Sequence, residues 1–82
     1  MPTVLTVDGY QVRIRLPPRE HGPPHVHVRK AGMLVVINLP EGDQPPTIRR
    51  VRGGHTADVT AAFRLVEANV EMLLNEWRRY HG

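Results

Sequence analysis

The chain has no cysteine, which removes disulfides, thiolate metal sites and a thiol nucleophile from consideration. Aromatic residues are scarce. Tyr10, Phe63, Trp77 and Tyr80 are the whole set, so these four should anchor much of the packing. No stretch approaches the ~18 apolar residues of a membrane-spanning helix, and the N-terminal residues lack a charged region followed by an apolar run. The expectation is a soluble cytoplasmic protein with no membrane partner. Lysine is nearly missing as well: of eleven cationic residues only Lys30 is not an arginine.

With 82 residues there is room for one domain, 1–82, and one modest core. Stability at this size is roughly 3–5 kcal/mol, so a homodimer contact or a cognate partner would add usefully to it. The formal charge of +3 and a pI near 10.2 come almost entirely from guanidinium groups. Guanidinium binds carboxylate and phosphate through two parallel hydrogen bonds, so the two partner classes it admits are an acidic protein and nucleic acid. The plainer alternative is a solubility charge with no ligand.

Thr3 to Val7 is rich in β-formers, and Asp8-Gly9 is a two-residue hairpin turn. From Tyr10 to Leu16 apolar and polar residues alternate, with Gln11, Arg13 and Arg15 on the polar side. The turn sets Val7 against Tyr10 and Leu5 against Val12. After the proline-rich loop Pro17 to Pro24, His25 to Lys30 alternates again, and Ala31-Gly32 turns it into Met33 to Leu39. That turn sets Val28 against Val35, Val26 against Ile37, His27 against Val36 and His25 against Asn38. The last strand is apolar on both sides, and one helix covers only one of them, so Leu34 and Val36 call for a second protein. Pro40 to Pro46 is a loop, and Thr47 to Val51 reads as a short edge strand.

Gly53-Gly54 breaks the chain, and Thr56 or Asp58 can cap a helix. Val59, Phe63, Val66, Val70, Leu73, Leu74, Trp77 and Tyr80 then recur at three- and four-residue steps, giving one helix of about six turns. The predicted fold is α+β: a four- or five-stranded antiparallel sheet built from two hairpins, followed by one long C-terminal helix packed across one face. Phe63, Val66, Val70, Leu73 and Trp77 form its buried side, with His81 as a cation near its C-terminus.

The chemistry concentrates in Glu20-His21-Gly22-Pro23-Pro24-His25-Val26-His27-Val28. His25 and His27 are two apart in a strand and so leave the same face, with Arg13, Arg15 and Arg29 beside them. On that polar face substitution should change stability by less than about 1 kcal/mol. His21, His25, His27, Arg13, Arg15 and Arg29 are the candidate binding residues. A metal would take His21, His25 and His27, with Glu20, His55 or His81 completing the set. A metal-free ribonuclease would use His25 and His27 as acid and base, with Arg29 or Arg13 stabilising the phosphorane. The alternative is that the histidines only decorate a polar surface. Arg49, Arg50 and Arg52 lack the interleaved aromatics of a single-strand reader, and their plainer reading is a solvated loop that balances Glu41 and Asp43. Gly53-Gly54 has no G-x-x-x-x-G-K-[ST] pattern, and no cofactor is assigned.

Met1-Pro2-Thr3-Val4-Leu5, Asp8-Gly9-Tyr10, the H-x-P-P-H-x-H-V element at His21 to Val28, and Trp77-Arg-Arg-Tyr-His81-Gly82 together resemble a family of small bacterial stand-alone domains of unassigned function. The resemblance covers nearly the whole chain. It implies a cognate small protein, since such domains are often encoded beside one and the pairs are suspected toxin–antitoxin modules. The signature residues carried over are His21, Pro23, Pro24, His25, His27, Trp77 and His81. The Arg49 to Gly54 segment departs from the family pattern and inherits no role. The leading expectation is therefore a toxin–antitoxin-type interaction module acting through a His/Arg-rich sheet face. A metal-independent RNA-cleaving enzyme and a metal-binding regulator remain as alternatives.

Overall fold

Alternation and two tight turns build most of the sheet in the structure, a computed structural model that describes residues 2–16 and 22–82. β1 (Thr3–Val7) and β2 (Tyr10–Arg13) are joined by Asp8 and Gly9, at φ 50° and 83°, the handedness that matches strand twist in a two-residue hairpin. β3 (His25–Lys30) and β4 (Met33–Asn38) are joined by Ala31-Gly32, and β5 (Thr47–Arg52) follows the second proline-containing loop. The strands lie in the order β1-β2-β3-β4-β5, each neighbour antiparallel. The pairings expected of the two hairpins, from Leu5 with Val12 to His25 with Asn38, all occur.

The single long helix is instead two, α1 (Thr56–Glu67) and α2 (Val70–His81). Asn69 makes the break. Its backbone leaves helical geometry at φ −129°, its Nδ2 donates to Leu65 O at 2.8 Å, and its own N–H reaches only three residues back, to Val66 O. Asparagine competes in this way for the carbonyls that a continuing helix would use. The apolar spacing runs through the break unchanged, which is why periodicity alone reads one helix. Neither Thr56 nor Asp58 is the cap. His55 occupies that position without a side-chain bond, and Asp58 accepts a hydrogen bond from Tyr10 Oη at 3.0 Å, tying α1 to β2.

Val12, Ile14, Val26, Val28, Val35 and Ile37 of the sheet are fully buried, in one cluster with Ala62, Val66, Leu73 and Trp77 of the helices. Each such side chain removed from water contributes about 1.5–3 kcal/mol before entropy is subtracted. On the far side of β4 Val36 is 5% exposed and Leu34 half-buried, so the two do not form the open apolar patch expected there. Among the described residues the large apolar side chains left exposed are Val7, Leu16, Ile48 and Val51. Among the described residues no helix is long and apolar enough to cross a membrane.

The chain leaves β5 through Gly53 and Gly54, both at positive φ (69° and 78°). A Cβ on Gly53 would stand 2.6 Å from Gly32 O in the β3–β4 turn, backbone that has little room to move. Gly53→Ala should therefore add a clash to left-handed strain and cost more than about 2 kcal/mol. Gly42→Ala, at φ 82° with open space around it, should incur the strain alone, about 1–2 kcal/mol. Urea melts of the two variants check this, and equal losses would mean the Gly53 contact is slack.

Candidate functional site

Pro23 and Pro24 have no N–H to satisfy, and both of their carbonyls are used. Pro24 O accepts from Leu39 N at 2.9 Å, which fixes the end of β4 against the start of β3. Pro23 O lies 3.0 Å from His25 Nδ1. A carbonyl only accepts, so Nδ1 is the donor in this bond.

Strand alternation puts His25 and His27 on the sheet face away from the core, and their ring centroids are 5.4 Å apart. The pairing of the two rings on one face is as the sequence predicts, but their exposure is not. His25 is 1% exposed and His27 6%. The reason is an aromatic stack that reaches the helices. Trp77 lies 5.0 Å from His25 at a tilt of 49°, and His81 stacks on the indole at 3.7 Å and 10°. His81 Nε2 donates to Arg15 O at 2.7 Å, pinning the last turn of α2 to the residue two beyond β2. The sequence offers His81 as a terminal cation or a further metal ligand, and not as a partner of the Trp77 ring. Their four-residue spacing was the available signal. His55 is exposed at the start of α1, away from this stack. His21 and Glu20 lie outside the described residues. Among the described residues no group of three His, Asp or Glu side chains could hold a metal ion.

Around the histidines the same sheet face is arginine-rich. Register places Arg13 opposite His27, Arg29 opposite Gln11, Arg50 opposite Val36 and Arg52 opposite Leu34. An irregularity between Val36 and Ile37 leaves Arg49 as an extra residue in β5, and Arg49 Nε donates to Asn38 Oδ1 at 2.8 Å on this same face. Arg15 completes a set of six arginines, and no strand residue on the face is acidic. The cluster Arg49, Arg50, Arg52 is thus part of the sheet face and not a loop. The extra residue interrupts the alternation of Thr47 to Arg52 and hides it in the sequence. Among the described residues, Arg13, Arg29, Arg49, Arg50 and Arg52 have no carboxylate at ion-pair distance.

A cleft of about 150 Å³ opens on this face, lined by Arg15, His25, His27, Leu34, Val36, Arg49 and Arg50. Two imidazoles beside three guanidinium groups can bind an anion, and the imidazoles are the right groups to accept and donate a proton. A larger open hollow of about 570 Å³ lies between the Asp8 turn and α1, but Asp8 and Arg64 are its charged residues and no histidine lines it. The chemistry sits in the smaller space.

The model of the family described as "Domain of unknown function (DUF4160)" matches residues 9–78, and the chain belongs to that family. His25, His27 and Trp77 fall inside the matched segment, and His81 lies just beyond it. No curated protein and no solved structure matches the chain.

Buried positions respond differently from surface ones. Trp77→Ala should cost roughly 3–5 kcal/mol, and His25→Ala about 2–4 kcal/mol, since it opens a hole against the indole and removes the bond to Pro23 O. Because Trp77 is the one tryptophan, its emission reports the stack directly in His25→Ala and His81→Ala. Melts barely shifted in both Trp77→Ala and His25→Ala would show that the rings carry no packing load.

Proposed function

We propose that this chain is an interaction module of the toxin–antitoxin type, working in the bacterial cytoplasm, which presents the arginine-rich face of its sheet to an acidic surface on a cognate small protein. The observation that carries this reading is the set of six arginines on one sheet face with no acidic strand residue among them. A one-signed face is costly to a small domain unless an opposite charge meets it, and complementary charge raises association rates and rejects wrong partners. An acidic protein is favoured over single-stranded RNA because no strand residue on the arginine side is a tyrosine, phenylalanine or tryptophan, and Trp77, which meets His25, is itself buried and offers no open face to a base.

A second reading, metal-free RNA cleavage, is favoured by one feature: His25 and His27 stand beside the cleft with Arg15, Arg49 and Arg50. In it one imidazole takes the proton of the attacking 2′-hydroxyl, the other protonates the leaving oxygen, and the arginines hold the phosphorane.

Co-expression with the product of the neighbouring gene tests the first reading. The pair should copurify at low salt and separate as salt rises. Arg13→Glu with Arg29→Glu should weaken the complex by at least about tenfold without shifting the melt, because reversed rim charges act on association and leave the core alone. A complex indifferent to salt and to both reversals would sink the proposal. RNA cleavage that persists in EDTA and is lost in His27→Gln would put the second reading in its place.

A further inference from the structure

β5 is the last strand of the sheet. It pairs with β4 on one side, and among the described residues its other edge has no strand beside it. All six of its residues, Thr47 to Arg52, are exposed. Such an edge presents a row of backbone N–H and C=O groups ready to pair with another chain.

The two sides of this strand differ in chemistry. Ile48 pairs with Ile37 and Val51 with Val35, so they share the core side of the sheet. Ile37 and Val35 are 0% exposed, whereas Ile48 and Val51 are 44% and 46% exposed. The helical layer therefore stops one strand short and leaves an apolar shelf beside an open edge. On the opposite side Arg49, Arg50 and Arg52 project, and the extra residue in β5 brings Arg49 and Arg50 there together.

From this geometry we infer that β5 is a docking edge for one extended acidic segment of a partner protein, which adds to the sheet as a sixth strand. This rests on the reading of the partner as an acidic protein and specifies the edge and the conformation it uses. Side chains of an added strand alternate between faces, so the fitting segment alternates acidic and apolar residues. Its carboxylates meet Arg49, Arg50 and Arg52, and its apolar side chains extend the shelf of Ile48 and Val51. A second copy of this chain is a poor occupant. Antiparallel pairing of β5 with itself that matches Ile48 to Val51 also sets Arg49 opposite Arg50 twice, and directly opposed like charges are destabilising. β1, the other edge, has no arginine.

The test uses the full chain, isotope-labelled, and a synthetic peptide of alternating Glu and Val about eight residues long, enough to span a six-residue strand. Two control peptides are needed: alternating Lys and Val, and the Glu/Val peptide N-methylated at every second residue on the side that pairs. N-methylation removes the ladder donors and keeps the charge. The expected result is a set of amide shifts centred on Thr47 to Arg52, with slowed exchange there. Binding should fall at least about tenfold for both controls and for Val51→Asp, with Val51→Thr as the milder variant if the aspartate lowers the melt. Equal binding of the N-methylated peptide, or shifts centred on Arg13 and Arg29, would overturn strand addition and leave the acidic-partner reading standing. No binding of any acidic peptide at millimolar concentration would overturn strand addition as well. The two readings then separate on the copurification experiment.

Discussion

The indole of Trp77 meets the imidazoles of both His25 and His81, and both imidazoles are pinned to backbone carbonyls, of Pro23 before β3 and Arg15 after β2. These two carbonyls belong to the ends of adjacent strands, so one helical side chain holds the β2 and β3 ends against α2. The arrangement also settles an unfavourable balance. One nitrogen of each ring meets a backbone carbonyl, and for His25, which is 1% exposed, an unmet N–H would cost about 1–3 kcal/mol. With the strand ends fixed, His27 and the arginines that follow β2 and β3 in register have little freedom in where they stand.

The scarcity of true aromatics gives this stack its significance. A chain with four of them has few large flat side chains for its core, and imidazoles fill that role at the open end of the sheet. The histidines that look most like chemistry in the sequence are therefore structural as well. A site made of such residues is preorganised, because the rings cannot turn away, but loss of a ring affects fold and function together. The arginines around it have no such double role. They are mostly exposed, and their charge can be reversed with the core left intact.

What could be read in advance follows from how local each signal is. Hairpin register was legible because a two-residue turn and period-two alternation each fix it independently, and in Val26 to Ile37 they agree. The shared face of His25 and His27 came from the same rule. Their burial did not, since it depends on Trp77, some fifty residues away, meeting a ring that alternation assigns to the opposite side of the sheet. The helix break was invisible for another reason: Val66, Val70 and Leu73 keep helical spacing across it, and only the side-chain chemistry of Asn69 marks the stop. In β5 the obstacle was one extra residue, which turns clean alternation into an apparently patternless arginine run.

That extra residue also shapes the surface. Irregular pairing at an edge is commonly a device that discourages further strands, and so is charge. Here the irregularity gathers arginines on one side, while Ile48 and Val51 remain as an uncovered apolar row on the other. A strand protected against every neighbour would need charge on both sides or a proline within it, and β5 has neither. Its protection is selective by sign: it raises the energy of pairing with any basic strand, its own copy included, and lowers that of an acidic one. The constraint that keeps identical chains apart is thus the same one that defines which foreign segment the edge accepts.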